Sequence, residues 1–499
     1  MKDFFLSKKA VTMLQILKYI ENAEISPTLK EIMTQISLPK ITAIRYLKEI
    51  QQDLTELNPQ LKLITNNNQY SVVYPADSSF SSTIFKLRYA YIVRTTKFQV
   101  MDALFRNNFS SIQSLSKTTN LSPSTIQNTI KSLKQYFEQF HVSISFRGNQ
   151  NIIGKPLNVR VLMVYTYSAI YRGDLSPEFV ANRSQYELTV KEHLSFSQRH
   201  QLKLLKAVTY FDLIQKKSPI TLTPKLRQLL IAVNTSNPIM IKLPGFSEQI
   251  LQDESLFFGF LLRLLSANYD THTEKIAISK AILSLDTAFT NDVQQLLKDF
   301  FITFNLKQTK PYFLESFYYL AITLIYLEFI SVDVTDFLEF SISMSAFENE
   351  QIDTDSVFRS LQHFLSEKAK IYPKLLNDTM GSMLYSLFFF LLDYNTRIKP
   401  LKINVQYTKN FYAANMISES LQDVFGSAIT FIDRIDQADF IISDSYENAE
   451  ELPGDFFLFN NIFNPHDWST LLTTLLQQIY GKNFYKTLQI DLPTKYRYH

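Results

Sequence analysis

The chain has 499 residues, 46% of them hydrophobic and 19% charged, so it is long enough for roughly three to five domains with their own apolar cores. It contains nine glycines and no cysteine, which excludes disulfides, thiolate metal sites and cysteine nucleophiles and argues against glycine-rich nucleotide-binding loops. The net charge is +3 and the common nucleotide-binding, hydrolase and metalloprotease motifs are absent, so the sequence gives no indication of an enzyme.

No segment is predicted to cross a membrane. Uncharged apolar stretches lie between Glu315 and Glu328 and between Asp378 and Asp393, but both are shorter than the roughly 18 to 20 residues that span a bilayer. The N-terminal residues lack the apolar core of a signal peptide. We therefore expect a cytoplasmic protein without a membrane partner, in which both stretches form buried helices.

Charge is distributed unevenly along the chain. Residues 1–160 contain 20 Lys and Arg against 10 Asp and Glu, whereas the remaining residues contain 30 against 37. A basic segment joined to an acidic body is typical of a module that binds a polyanion. Charge alone leaves DNA, RNA and membrane surfaces open as partners.

An internal repeat lies within the basic segment. Residues 38–50 (LPKITAIRYLKEI) align with residues 121–133 (LSPSTIQNTIKSL) at an offset of 83. The apolar positions of both copies follow a 4-3-4 spacing, which places them on one face of a helix. They are Ala43, Leu47, Ile50 and Leu54 in the first copy and Ile126, Ile130, Leu133 and Phe137 in the second.

A shorter helix is predicted before each of these long helices, and a hairpin after it. The first short helix is expected to begin at Ser26-Pro27, and the second at Ser110 or Ser111. Alternating apolar residues flank the polar turns at 66–68 and 147–149, as expected of β-hairpins. Each copy is therefore predicted to be a winged helix-turn-helix unit.

Such units place the second helix in the major groove of DNA. On its exposed face Lys and Arg can neutralise phosphates, and Asn and Gln can recognise base edges. The alternative is that these faces are ordinary solvated surfaces. The predicted DNA-binding residues are Lys40, Thr42, Arg45, Lys48, Ser124, Gln127, Asn128, Lys131 and Lys134 on the two helices and Arg147 in the second hairpin.

The rest of the sequence separates into a helical region and an α/β region. Residues from about 165 to 398 contain long apolar-periodic stretches and only four glycines, which favours helices. From Leu401 onward, short apolar runs alternate with amphipathic segments at 412–424 and 468–480. This alternation predicts a small parallel α/β sheet.

On the repeated segments Ser26–Ile50 and Leu121–Leu133, and on the order of the later regions, the sequence resembles the Mga/AtxA-type family of global (virulence) transcriptional regulators of Gram-positive bacteria. The resemblance covers essentially the whole chain and implies a mainly α multidomain fold. The implied domains are two tandem winged helix-turn-helix domains (1–75 and 76–160), two all-helical regulatory domains of the phosphotransferase system (161–288 and 289–398), and a C-terminal α/β domain similar to an EIIB permease component (399–499).

The C-terminal region departs from an EIIB component in one respect. The phosphorylated cysteine expected after the first strand is absent, and Tyr407, Thr408 and Lys409 occupy this place. A phosphocysteine relay is therefore excluded. We expect this domain to be an oligomerisation or docking scaffold.

The resemblance implies that histidines of the regulatory domains accept phosphoryl groups, for which imidazole is nucleophilic enough near neutral pH. His200 and His272 are preferred because both fall in the first of these domains, and His193 and His363 are the other candidates. For each of them the alternative is a structural histidine held by a hydrogen bond.

These observations predict a DNA-binding transcriptional regulator without catalytic activity, cofactor or metal. The expected partners are double-stranded DNA, further copies of the chain in a dimer or larger oligomer, and a phosphocarrier protein of the phosphotransferase system. Phosphate on a regulatory histidine would shift a helix interface and change subunit association. The alternatives are an RNA-binding antiterminator with the same regulatory domains, which the helical N-terminal units disfavour, and a sugar phosphotransfer enzyme, which the lack of cysteine disfavours.

Overall fold

In the computed structural model helices predominate among the described residues, and the strands described there form short pairs and a small parallel sheet. The prediction of a mainly helical chain with a small C-terminal parallel sheet is therefore confirmed. Among the described helices, none has the length and apolarity needed to span a bilayer. The described residues are 4–23, 25–76, 78–171, 187–191, 193–266, 268–306, 309–332, 356–373, 376, 381–395, 400–407, 412–445, 454–459 and 461–480.

The N-terminal part contains one order of elements twice, namely three helices and then an antiparallel pair of strands. A further helix, α4 (Phe80–Val93), lies between the two copies in sequence. The first copy consists of α1 (Lys8–Asn22), α2 (Leu29–Ile36), α3 (Lys40–Leu57), β1 (Lys62–Asn66) and β2 (Gln69–Val73). The second copy consists of α5 (Thr96–Arg106), α6 (Ile112–Thr119), α7 (Pro123–Glu138), β3 (Ser143–Ile144) and β4 (Ile152–Ile153).

The helix ends of the two copies correspond at the offset found in the sequence. Thr28 and Ser111 cap the N-termini of α2 and α6, and each accepts a hydrogen bond from the third backbone N–H of its helix. The predicted start at Ser26-Pro27 is therefore two residues early, because Thr28 forms a capping box with Glu31. Both short helices end at a left-handed residue, Ser37 or Asn120, which makes the turn into the long helix.

The apolar stripe of each long helix faces its own copy. In α3 all four predicted positions are buried. In α7, Ile126, Leu133 and Phe137 are buried, but Ile130 is only half-buried and Thr129 is buried beside it. The Thr129 hydroxyl satisfies its hydrogen-bonding potential within the helix by donating to the Thr125 carbonyl, so a polar residue can occupy this position.

The predicted hairpins also form. In the first, Asn67 and Asn68 both have positive φ, which matches the tight primed turn that connects twisted antiparallel strands. The second hairpin is shorter, with only two residue pairs between β3 and β4.

The helix after the second hairpin, α8 (Pro156–Ile170), is buried on nearly all sides, as expected of a helix at the centre of a core. The next helix, α9 (Phe196–Tyr210), packs on α8 and continues into a π-helical turn at Phe211–Gln215. One feature was not predicted in this helical region: the short strands β5 (Glu187–Thr189) and β6 (Met240–Lys242) form an antiparallel pair.

The remaining helices of this region follow in sequence, and most of them carry wide apolar faces. They are α10 (Pro224–Val233), α11 (Glu248–Leu265), α12 (His272–Leu283), α13 (Ala288–Thr303), α14 (Lys310–Phe329), α15 (Ser356–Ile371) and α16 (Gly381–Asn395). The stretch between Glu315 and Glu328 lies in α14 and is largely buried, as predicted.

The C-terminal region contains a parallel sheet of four strands in the order β10-β9-β7-β8. Its core is formed by apolar side chains of the strands and of two helices. The strands are β7 (Leu401–Gln406), β8 (Ile429–Phe431), β9 (Phe440–Ser443) and β10 (Asp455–Leu458), and the helices are α17 (Ala413–Phe425) and α18 (Pro465–Tyr480). Thr408 and Lys409, noted in place of the expected cysteine, lie outside the described residues.

The chain folds into two compact units. The described residues of the first unit come from Met1–Asp299, Thr309–Ser341 and Tyr372–Leu384, and those of the second from Phe300–Gln308, Ile342–Ile371 and Tyr385–His499. Both repeated N-terminal copies belong to the first unit, and the parallel sheet belongs to the second.

Candidate nucleic-acid interface

The exposed face of α7 is polar and basic along its length. The helix has no acidic residue before Glu138, its last position. Such a face can attract phosphates through its lysines and hydrogen-bond to base edges through its amides. All five residues predicted to contact DNA from this helix are exposed, namely Ser124, Gln127, Asn128, Lys131 and Lys134.

The two lysines of this face differ in their surroundings. Lys134 lies 3.8 Å from Glu138, one turn later, in a pair that is mostly exposed to solvent and therefore weak. Lys131 is exposed and has no ion-pair partner within the part of the chain that the structure describes. Both charges are accordingly accessible to a phosphate.

Contacts on the buried side of α7 fix the direction of this face. The Tyr136 hydroxyl lies 2.7 Å from the Thr166 hydroxyl of α8, and both groups are buried. Burial raises the pKa of Tyr136, so its hydroxyl stays protonated. Helix α7 also packs along α5. The helix is thus held on two sides, and only its polar face is left to solvent.

The exposed face of α3 has similar chemistry. Lys40, Arg45 and Lys48 are exposed, whereas Thr42 is half-buried and is the least accessible of the predicted contacts. The Arg45 guanidinium lies 5.4 Å from the centre of the Tyr46 ring, a cation–π distance that restrains the side chain.

Acidic side chains on the C-terminal half of α3 bind the end of α4. Asp53 accepts a hydrogen bond from the Tyr91 hydroxyl at 2.6 Å, and Glu56 pairs with Arg94 at 3.0 Å. Burial and the hydrogen bond to Asp53 raise the pKa of Tyr91, so this hydroxyl remains a donor. The N-terminal half of α3, residues 40–48, contains no acidic residue and keeps its positive charge.

The second hairpin presents Arg147 at its tip. The side chain is exposed, and the Arg147 backbone N–H donates to the Ser145 hydroxyl at 3.1 Å. The next residue, Gly148, has a φ of +102°, a conformation that favours glycine. The turn therefore leaves the Arg147 side chain exposed to solvent.

Two exposed residues near these helices were not singled out in the sequence. Ile41, in the first turn of α3, is 83% exposed, although its apolar character suggests a core position. Lys117 is exposed on α6, the helix that crosses the DNA backbone in helix-turn-helix units. The sequence signal for Lys117 is its positive charge on α6, the first helix of the helix-turn-helix. No sequence signal identifies Ile41.

His272 is the candidate histidine with the geometry of an activated nucleophile. It is the first residue of α12, and its ring is 56% exposed. Its Nδ1 lies 2.5 Å from a carboxylate oxygen of Glu315, which is buried on α14. A carboxylate on one ring nitrogen orients the imidazole and leaves the other nitrogen facing away from it. Within the described residues no hydrogen-bond partner of Nε2 is found.

The other histidines have different surroundings. His200 is half-buried on α9, and its Nε2 donates to the Tyr171 carbonyl at 3.0 Å. His193 is exposed and precedes α9, whose N-cap is Ser195, so it does not share a helical face with His200. His363 is exposed on α15, in the second unit.

A short helix, a left-handed turn and a second helix with a buried stripe and an exposed basic face define a helix-turn-helix protein. Residues 81–167, which include the second copy, α4 and most of α8, match the model of the Mga helix-turn-helix domain. The predicted resemblance to the Mga/AtxA-type regulators is thereby confirmed, and its evidence lies in this domain. A comparison with curated proteins gives no match.

Proposed function

We propose that the chain is a transcriptional regulator that binds double-stranded DNA through two winged helix-turn-helix heads, formed by the first and second copies. The observation that carries the proposal is the exposed face of α7 within the Mga helix-turn-helix domain. Residues 81–167 contain 11 basic and two acidic residues, and one of these acids, Asp102, is buried and pairs with Arg106. The resulting positive field suits a polyanionic ligand.

Duplex DNA is favoured over RNA by the shape of the contact elements. The exposed side chains lie on α-helices, which fit the wide major groove of B-form DNA. The major groove of A-form RNA is too narrow for side chains to reach the bases, and single-stranded RNA is usually held by stacking on exposed aromatic rings. The exposed face of α7 carries no aromatic residue. These features disfavour the RNA-binding antiterminator.

The test is a binding titration with the full-length protein at about 0.15 M salt. Genomic promoter fragments and RNA hairpins of equal charge would be compared, followed by footprinting of the best fragment. We expect duplex DNA to bind more tightly and the footprint to weaken in Gln127→Ala. The matched control is Gln362→Ala, since this glutamine is exposed on α15 and should leave the footprint unchanged. Preference for RNA, or equal footprints for all three proteins, would contradict the proposal.

The second part of the proposal is control by phosphorylation, with His272 as the acceptor. The pairing of its Nδ1 with buried Glu315 leaves Nε2 as the nucleophilic atom. A phosphoryl group would bring about −1.5 to −2 charge at neutral pH. Glu315 lies 2.5 Å from the ring, so the added charge would repel this carboxylate and strain the contact between α12 and α14.

His200 offers a second route to the same control. A phosphoryl group on its Nε2 would break the hydrogen bond to Tyr171, the residue that follows α8. Because α8 supports α7 through the contact between Tyr136 and Thr166, loss of this bond would change the position of the DNA-binding face. Labelling by a phosphocarrier protein tests both histidines: we expect His272→Ala to abolish the label, Glu315→Gln to slow it, and His363→Ala to retain it. Label that persists in His272→Ala but not in His200→Ala would transfer the role to His200.

We further propose that the C-terminal domain is an EIIB-like scaffold through which copies of the chain associate. Its parallel strand order, with the first strand between the second and third, supports the likeness to such α/β domains. Without a cysteine the domain has no thiol to phosphorylate. Light scattering of the full chain and of a chain ending before residue 399 would give the number of subunits in each assembly. The same number of subunits in both would contradict this role.

A further inference from the structure

The first turn of α3 exposes an isoleucine to solvent. Ile41 is 83% exposed, while the buried stripe of the helix, Ala43, Leu47, Ile50 and Leu54, lies on another face. A single exposed apolar residue is ordinary in itself. This one is notable for its position, because in helix-turn-helix units the side chains at the N-terminal end of the second helix contact base edges.

Charged groups that would hold a DNA backbone accompany this isoleucine. Lys40 precedes it, and Arg45 lies one turn further along the helix, on the same side. Both are exposed. A duplex bound by these cations would bring the major groove against Ile41. If Ile41 faced water or a phosphate in the complex, its apolar side chain would have no favourable contact.

The major groove has one apolar group, the C5 methyl of thymine. We propose that Ile41 recognises thymine methyl groups and that the first copy thereby selects T-containing sites. This inference rests on the proposed function. It adds which base feature the first copy recognises.

The second copy differs at the equivalent position. At the offset of 83, Ile41 corresponds to Ser124, whose hydroxyl lies 2.9 Å from that of Ser122 at the start of α7. The next exposed residues on this helix, Gln127 and Asn128, are amides. The second copy therefore presents hydrogen-bonding groups where the first presents an apolar one. The two copies would recognise different features of one site.

The experiment compares two versions of the same duplex. A fragment that the full-length protein binds is synthesised with thymine or with deoxyuridine, which lacks only the methyl group, and binding is titrated at one salt concentration. Removal of a methyl contact should weaken binding of the wild-type protein about fourfold for each thymine that Ile41 contacts. Ile41→Ala should bind the thymine duplex more weakly and lose most of this difference.

The matched control is Ile231→Ala. Ile231 is 50% exposed on α10, away from the repeated copies in sequence, so this variant should keep the wild-type ratio between the two duplexes. The control also accounts for the effect of deoxyuridine on duplex stiffness, because that effect is the same for the wild type and for both variants.

Equal ratios in the wild type and in Ile41→Ala would overturn the inference while leaving DNA binding intact. Absence of binding to either duplex would remove the proposed function together with it. A change in subunit number in Ile41→Ala, measured by light scattering, would instead identify Ile41 as a protein contact and would also overturn the inference.

Discussion

Arg160 and Glu254 form a buried, bidentate ion pair that joins two parts of the first unit. The guanidinium donates to the two carboxylate oxygens at 2.9 and 3.3 Å, and the side chains are 1% and 0% exposed. Arg160 lies on α8, within the residues that match the Mga helix-turn-helix domain, and Glu254 lies on α11 of the helical region. The matched helix-turn-helix domain and the helical region thus share a buried ionic contact.

Further groups complete this contact. Asp212, in the π-helical turn after α9, accepts from Arg160 at 2.6 Å, and Thr209 accepts at 3.1 Å. Burial lowers the pKa of Arg160, but the two carboxylates outweigh it and hold the pKa above its ordinary value. Glu254 also accepts from the Ile220 backbone N–H at 2.8 Å. The Lys216 ammonium, 3.7 Å from the second Asp212 oxygen, balances the second carboxylate. With two cations against two carboxylates, the cluster is compatible with burial.

Replacement of Arg160 with methionine should destabilise the first unit strongly. The substitution removes the ion-pair partner of Glu254 and leaves Asp212 paired with Lys216. An uncompensated buried charge costs on the order of 3–5 kcal/mol. The measurement is thermal unfolding of the full chain. Arg434→Met, which removes an exposed pair with Asp436, serves as the control and should melt like the wild type. Equal melting curves for all three proteins would contradict the role of the cluster.

Loss of Lys131 should weaken DNA binding without changing sequence preference. Each lysine that contacts a phosphate releases about one counterion, so Lys131→Ala should reduce the slope of log affinity against log salt by about one unit. Lys134→Ala should act similarly, because its exposed pair with Glu138 is weak. Titrations at several salt concentrations provide the slope. Lys298→Ala, on an exposed position of α13, is the control; if all slopes agree, the α7 face is not the contact.

Glycine at position 37 should stabilise the first copy. Ser37 ends α2 with a φ of +56°, a conformation that strains residues with a Cβ but not glycine. Allowing for the greater entropy of glycine in the unfolded chain, we expect a gain on the order of 0.5 kcal/mol for Ser37→Gly. Hydrogen exchange of the α2 amides measures it, and exchange should slow. Asn120→Gly should stabilise the second copy by a smaller amount, because asparagine tolerates this conformation. Faster exchange of the α2 amides in Ser37→Gly would show that the serine side chain is needed.

Glu274 should make stability depend on acid pH. Partial burial raises its pKa, but hydrogen bonds from the Lys191 ammonium and the Thr271 backbone N–H outweigh this effect and lower the pKa to about 2. A lowered pKa means that the carboxylate stabilises the fold above its ordinary pKa of 4.5 and that this contribution is lost as the pH falls toward 2.

The measurement is the melting temperature of Glu274→Gln against that of the wild type across this range. The variant should melt lower at neutral pH, and the difference should shrink between pH 4.5 and 2. Lys191→Met removes the same pair from the other side and should behave alike at neutral pH. A difference that stays constant down to pH 2 would contradict the assignment of this pair.

Local patterns predicted the helices and hairpins of the N-terminal part, with the start of α2 placed two residues early and the cap at Ser111 correct. The structure adds the cap Thr28 and the turn residues Ser37 and Asn120, which recur at the offset of the sequence repeat because capping and left-handed turns depend on residues close in sequence. The parallel sheet near the C-terminal end was predictable for a similar reason, since short apolar runs that alternate with amphipathic helices have few other arrangements.

Contacts between distant residues could not be predicted in this way. The strands β5 and β6 pair across more than fifty residues of sequence, and neither has a local signal strong enough to identify it. Nothing in the sequence around His200 indicates that its ring donates a hydrogen bond to the Tyr171 carbonyl. The same holds for the buried carboxylate of Glu315 beside His272.

The sequence by itself determined that two similar basic helical units precede a helical body and an α/β end, because periodicity, caps and charge are local properties of the chain. Only the tertiary structure decided which charges remain available at the surface. It pairs Asp53 and Glu56 with α4, buries Arg160 against Glu254, and leaves Ile41 and Lys131 in solvent. The reason is that ion pairing and burial depend on which distant segments pack together, and this information is not contained in any single helix.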